Sequence, residues 1–138
     1  MSDCLFCQIV AGSIPSQNVY DDADVMAFLD IRPINPGHTL VIPKRHAENM
    51  LVSSDEDLVK VMGVIKKITP AILRAVGAEA FNLGCNTGRA AGQVVFHTHI
   101  HIMPRLATDG YRLWHPREDV PSDLNGIAEK IRKEIEKT

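Results

Sequence analysis

The sequence predicts an α+β fold, a five-stranded antiparallel sheet with two main helices. Three observations carry that prediction. Short apolar runs parted by turn residues are grouped in hairpins, two longer stretches keep apolar residues at helical spacing, and residues 95–105 alternate histidine with apolar side chains. No internal repeat, low-complexity tract or linker interrupts the 138 residues, a length that suits one domain.

Near the N-terminus Leu5, Phe6 and Ile9 share one side of a short helix that Gly12 stops. Residues 19–21 and 24–30, separated by acidic turn residues, read as a hairpin. Residues 30–37 form an irregular loop, because Pro33 and Pro36 withhold donors and Gly37 frees the backbone. Residues 38–43 follow as a short, largely buried strand, and Lys44, Arg45 and His46 lead away from it.

Ser53 with Glu56 is a capping box, and Asp55 and Asp57 favour the positive end of a helix dipole. Leu58, Val61, Met62, Ile65, Ile68, Ile72, Ala75 and Val76 keep the helical stripe up to Gly77, with Pro70 expected to kink or divide the helix. Residues 80–86 are a further strand, and residues 87–93 a small-residue turn whose N–H groups can converge on an anion. After Arg105 the stretch through Tyr111, Trp114, His115 and Pro116 reads as a loop that packs on a partner. Ser122 then caps a final helix with Leu124, Ile127, Ile131 and Ile135 on one stripe.

A formal net charge of −2 offers no basic field for nucleic acid, so a nucleotide partner should be a small molecule. The N-terminus lacks the basic segment and apolar core of a signal peptide, and no apolar run has the length of a membrane span. A cytoplasmic protein is expected. Three cysteines argue against a disulfide framework. Cys85 reads as a small buried apolar residue. Cys4 and Cys7 form a Cys-x-x-Cys that reads as a redox dithiol, as two buried thiols, or as half a zinc site in need of two more ligands, the last being favoured.

Successive side chains of a strand point to opposite faces, so His97, His99 and His101 share one face of the run at 95–105, and Phe96, Thr98, Ile100 and Ile102 the other. At about 3.3 Å per residue the outer two stand roughly 13 Å apart, too far for one metal ion to hold both. The three rings must divide their work.

The run His97-Thr98-His99-Ile100-His101-Ile102-Met103 resembles the His-φ-His-φ-His-φ-φ signature of the histidine triad (HIT) family, φ being apolar. The likeness extends to Asp30-Ile31, to the run from Pro36 to Lys44, to Asn86 and to Gly92-Gln93, and it is nearest to the Hint-like branch. It implies one HIT domain over residues 1–138 and a homodimer whose two sheets join into one of ten strands. It further implies binding of a purine nucleoside monophosphate or its conjugates, and cleavage at the α-phosphorus through a nucleotidyl-histidine intermediate.

By the same resemblance His99 is the nucleophile, with His101 and His38 in support. Asp30 holds the ribose, Ile31, Phe28, Leu5, Phe6 and Ile9 the base, and Asn86, Gly92, Gln93 and the N–H of Val94 the phosphate. Some microbial members build a structural zinc site from residues that here are Cys4, Cys7, His46 and His97, two thiolates and two imidazoles in a closed set. Two positions depart from the pattern: Thr98 occupies a φ position, and Val94 stands where the Hint branch often has a serine near the leaving group. Dinucleoside polyphosphate hydrolysis, a non-catalytic nucleotide-binding regulatory module, and a catalytic metal on the His-x-His pair are the competing readings.

Overall fold

The structure, a computed structural model, describes residues 3–112, 114–120 and 123–138. Five strands, β1 (Asn18–Asp21), β2 (Val25–Leu29), β3 (Thr39–Pro43), β4 (Ala80–Gly84) and β5 (Ile100–Arg105), form one sheet in the order β1-β2-β3-β5-β4. Every neighbouring pair is antiparallel, as expected from the hairpin grouping. Three helices accompany it, α1 (Leu5–Val10), α2 (Asp55–Val76) and α3 (Leu124–Ile135).

The pleat sorts the central strands into two cores. Val25, Ala27, Val41, Ile100 and Ile102 pack with Val61, Val64 and Ile65 of α2 on one face. Met26, Phe28, Leu40 and Ile42 pack with Phe6 and Ile9 of α1 on the other. Each of these side chains, when fully buried, contributes on the order of 1.5–3 kcal/mol. By the same period of two, His38 follows Leu40 and Ile42 onto the α1 face, and His101 lies opposite Ile100 and Ile102 on that face as well.

Several expectations need correction. Ser54, not Ser53, caps α2, its hydroxyl accepting from the Asp57 N–H at 3.1 Å, because Ser53 is turned toward Thr98 and the Asn49 carbonyl. Pro70 does not divide α2, which runs unbroken to Val76. Pro70 and Lys66 are both exposed, so the Lys66 carbonyl that loses its intrahelical donor faces water. Strand β4 stops at Gly84, paired with His101, because the ladder of β5 begins one residue earlier. Cys85 is exposed rather than buried, continuing the outward parity of Phe81 and Leu83 on this edge strand. Ser122 lies outside the described residues, and the Asp123 carboxylate caps α3 through the Gly126 N–H at 3.0 Å.

Pro104 sits inside β5 without harm, since β3 pairs only with residues 100–102 and β4 alone flanks residue 104. Its carbonyl accepts from the Asn35 side-chain amide at 2.9 Å. Gly37, at φ +87°, turns the chain into β3 where a Cβ would press on Val76 and Ile72 at 3.0 and 3.2 Å. The apolar stripe of α3 is exposed along its length. Among the described residues no helix is long and apolar enough to cross a membrane.

Replacing Pro70 by Ala restores a helical N–H for the Lys66 carbonyl and removes the ring's clash, against a small gain in unfolded-chain entropy. Denaturant unfolding should show a stabilisation of about 2 kcal/mol, and a lower midpoint would contradict this account of α2.

Candidate active site and metal cluster

The histidine row leaves the sheet before it begins. Residues 95–99 are outside the ladder, which starts at Ile100, so the expected strand over 95–105 is shorter than the alternation suggested. The cause lies in the neighbouring strand. Strand β3 ends on Pro43, which has no N–H to offer, and the Pro43 carbonyl is taken by the ring of His97 at 2.8 Å. The alternation nonetheless persists: His97 and His99 face the Phe6 ring, at centroid distances of 5.9 and 5.1 Å, while Thr98 points toward Ala47 and Ser53.

Hydrogen-bond partners fix the protons on these rings. A carbonyl can only accept, so His99, whose Nδ1 lies 2.7 Å from the His97 carbonyl, carries its proton there and keeps Nε2 as a lone pair. His38 is the reverse case. Its Nδ1 accepts from the Ile34 N–H at 3.1 Å, so its proton is on Nε2 and donates to His101 Nδ1 at 2.8 Å. His101 is left with an Nε2–H to offer outward. The three rings therefore hold two opposite tasks ready, a lone pair on His99 and a donor on His101, with ring centroids 5.1 Å apart.

Burial keeps the rings neutral. It is the first cause lowering the pKa of His38 and of His99, with the Asp30 carboxylate opposing in both. His101 is pushed down to about 4 by burial first and then by His99 and His38. Asp30 stands 3.5 Å from His38 Nε2 and 3.8 Å from His101 Nδ1, while its Oδ1 accepts from the Arg32 N–H at 2.8 Å.

Asp30, His38 and His101 have donor atoms close enough to share an ion. The wiring speaks against it. A metal at His38 Nε2 would displace the proton that position must carry while Nδ1 accepts from Ile34.

The remaining expected site residues divide. Phe6, Phe28 and Ile9 are buried and form an apolar wall beside His99, with the Phe6 and Phe28 rings edge-on at 5.3 Å. Leu5 is only partly covered and Ile31 is 94% exposed, so neither belongs to that wall. Gln93 is buried and its amide is fully engaged: Oε1 accepts from Gly88, and Nε2 donates to the Glu48 and Val95 carbonyls. The N–H groups of Gly92 and Gln93 close the turn on the Arg89 and Gly88 carbonyls. What that turn presents is Val94, 84% exposed, and Asn86, whose amide nitrogen lies 3.6 Å from where a Cβ on Gly92 would stand.

Asn82 and Arg112, which no sequence signal singled out, join residues that the sequence did mark. An open cleft of about 730 Å³ lies beside His38 and His101, bounded by Asn82 and Asn86 on one side and Arg112, Trp114 and His115 on the other. The segment after β5 is led there by Asp109, which accepts from Arg105, Asn35 and the Leu106 and Tyr111 N–H groups. The Arg105/Asp109 spacing was its only trace in the sequence.

Behind the row, Cys4, Cys7, His46 and His97 bring four donor atoms within 4.8 Å of one another. His97 Nδ1 lies 3.5 Å from both sulfurs, and Cys7 Sγ lies 3.3 Å from His46 Nδ1. A tetrahedral zinc with ordinary Zn–S and Zn–N bonds sets sulfur and nitrogen about 3.6 Å apart. The His97 proton is on Nε2, toward Pro43, so one Nδ1 lone pair faces two sulfurs, a geometry that a shared cation satisfies and a single hydrogen bond does not. The residues fit the ion.

Fold and site together define a small α+β protein with a divided histidine row, His97 in a metal-type cluster, His99 against the Phe6 ring, and His101, with His38, lining the cleft. Comparison with known proteins gives the same answer. A HIT domain model matches residues 11–108. The crystal structure of SMU.412c from Streptococcus mutans UA159 is 45% identical, with a TM-score of 0.90 over 98% of this chain and 87% of that one. Adenosine 5'-monophosphoramidase hnt1 of Schizosaccharomyces pombe is 39% identical over 96% of this chain and 98% of its own length. A Zn-bound histidine triad family protein from Mycobacterium smegmatis is 32% identical, with a TM-score of 0.75 over 99% of this chain and 97% of that one. The chain belongs to the HIT family and is Hint-like.

Two outcomes follow from the site. Replacing Cys7 by Ser should remove zinc from the purified protein by elemental analysis and lower its thermal midpoint, whereas His99→Ala should leave metal content unchanged. For His101 the folded pKa lies below the ordinary 6.5, so the unfolded chain binds the extra proton between pH 6.5 and about 4. Its contribution to stability is complete above pH 6.5 and is lost as pH falls through that window. Ring-proton NMR should find His101 uncharged at pH 5.5, and a midpoint near 6.5 would contradict the buried, His38-bonded ring.

Proposed function

We propose that the chain is a nucleotide hydrolase or transferase that cleaves purine nucleotide conjugates, nucleoside phosphoramidates among them, at the α-phosphorus. One observation carries the reading: a buried, neutral His99 whose Nδ1–H is tied to a backbone carbonyl and whose Nε2 lone pair lies beside a donor ring. The hnt1 relative, an adenosine 5'-monophosphoramidase, supports the substrate class.

In this reading Nε2 of His99 attacks phosphorus as the bond to the leaving group breaks, the leaving group departing with the electron pair. Water then cleaves the nucleotidyl-histidine and restores the ring. His101 Nε2–H, held by His38, donates to a phosphate oxygen or to the leaving-group atom, nitrogen in a phosphoramidate, as charge develops. The Val94 N–H and the Asn86 amide bind other phosphate oxygens, and Gly92 and Gln93 shape the turn that presents them. Asp30 accepts from the ribose hydroxyls through Oδ2, and the purine lies against Phe6, Phe28 and Ile9, covering Ile31 and Leu5. Cys4, Cys7, His46 and His97 would hold a zinc ion that, when bound, would cross-link α1 to the histidine segment.

A homodimer belongs to the same proposal. Strand β4 is a sheet edge with Phe81 and Leu83 exposed, and pairing two such edges would join the sheets into ten strands.

The test is a panel of adenosine 5'-phosphoramidate, adenylyl sulfate and diadenosine polyphosphates, with wild type and His99→Ala. His99→Ala should lose at least about 10³-fold in kcat while AMP still binds, and an alkaline quench of wild type should trap the nucleotide on His99 by mass spectrometry. Undiminished turnover in His99→Ala rejects the mechanism. Binding of AMP with no product from any substrate would favour the non-catalytic binding module.

A further inference from the structure

The peptide joining His97 to Thr98 is held from both ends. Its carbonyl accepts the His99 Nδ1–H at 2.7 Å, and its N–H donates to the Ala47 carbonyl at 2.9 Å. The sheet does not supply this support, because β5 begins at Ile100. It comes instead from the loop between β3 and α2, and hydroxyl groups hold that loop in place. Ser53 Oγ reaches the Asn49 carbonyl at 3.1 Å and Thr98 Oγ1 the Ala47 carbonyl at 3.3 Å, and the two hydroxyls meet at 2.6 Å, so each is tied both to the loop and to the other. Thr98 itself is buried.

We propose that Thr98 and Ser53 are positioning residues for His99: together they hold the peptide plane whose carbonyl selects the ring's tautomer and aims its free nitrogen. This rests on the reading of His99 as the nucleophile. An apolar residue at 98 satisfies the alternation equally well and keeps the backbone N–H. It removes the hydroxyl that links residue 98 to Ser53 and to the Ala47 carbonyl, and frees the loop to shift relative to the peptide. The run from His99 Nδ1–H through that peptide to the Ala47 carbonyl is a chain of two hydrogen bonds, each polarising the other, and it weakens as a unit. Displacement of a reacting group by about 1 Å costs roughly a hundredfold in rate, so a smaller drift is readable in kcat.

The experiment compares wild type with Thr98→Val, which keeps the shape, Thr98→Ser, which keeps the hydroxyl, and Ser53→Ala. The readings are kcat and KM for adenosine 5'-phosphoramidate, the Kd of AMP, zinc content, and 15N NMR of the His99 ring nitrogens. Thr98→Val should lower kcat about tenfold, with Kd for AMP and zinc content unchanged and the Nδ1–H tautomer eroded. Thr98→Ser should restore kcat to within about threefold of wild type, and Ser53→Ala should repeat the pattern of Thr98→Val more mildly. A Thr98→Val protein with wild-type kcat and an unaltered tautomer overturns the proposal, as does a loss of kcat accompanied by loss of zinc. If Thr98→Val fails to fold, Ser53→Ala decides by the same readings. If wild type turns over no substrate, the hydrolase reading fails while the ring spectrum still decides the positioning, an unaltered tautomer in Thr98→Val counting against it.

Discussion

The hydrogen bond from His97 Nε2 to the Pro43 carbonyl is the constraint on which the rest of the site depends. It occupies the last acceptor of β3 at the point where the sheet would otherwise capture the histidine segment. It also leaves Nδ1 of His97 as a lone pair, aimed at Cys4 and Cys7. One ring thus ends a strand and completes a ligand set. With His97 tied in this way, its own carbonyl is free to receive the His99 proton, and the two neighbouring histidines acquire unlike chemistry from one backbone unit.

The two faces of the sheet carry different burdens. On the α2 face apolar packing is continuous from Val25 to Ile102, and it makes the central strands rigid. On the α1 face the apolar cluster stops at Phe6 and Phe28, and beyond it lie His99, His101, His38 and Asp30. Polar rings at this depth are tolerated because each has a partner, and the described residues contain no buried side-chain nitrogen or oxygen without one. Burial is also what keeps the imidazoles neutral, and the Ile34 N–H on His38 Nδ1 sets the direction of the His38–His101 hydrogen bond.

Much of this could be read from residue order, and the misreadings have physical causes. The Cys4/Cys7 pair was half a site in sequence and needed His46 and His97, far along the chain, to become a tetrahedral set. Cys85 looked like core because small cysteines usually are, but strand parity on an edge put it in solvent. Pro70 looked like a break because its cost was reckoned without knowing that the orphaned carbonyl faces water. Ser53 and Ser54 are equivalent as cap candidates in sequence, and only the tertiary claim of Thr98 on Ser53 separates them. Gln93 matched a phosphate-lining position, yet the carbonyls of Glu48 and Val95 engage its amide.

The sequence by itself determined the α+β class, the alternation that turns His97 and His99 to one side and Thr98 to the other, and the residues of the metal cluster through their likeness to a family pattern. These follow from periods of two and 3.6 and from side-chain chemistry, which are local properties. Only the tertiary structure decided which nitrogen of each ring bears a proton, that the row stands outside the ladder, and that Ala47, Ser53 and Thr98 brace the central histidine. Those depend on groups contributed by segments 45–63 residues away, Pro43 for His97, Ala47 and Ser53 for Thr98 and His38 for His101, whose approach no local pattern encodes.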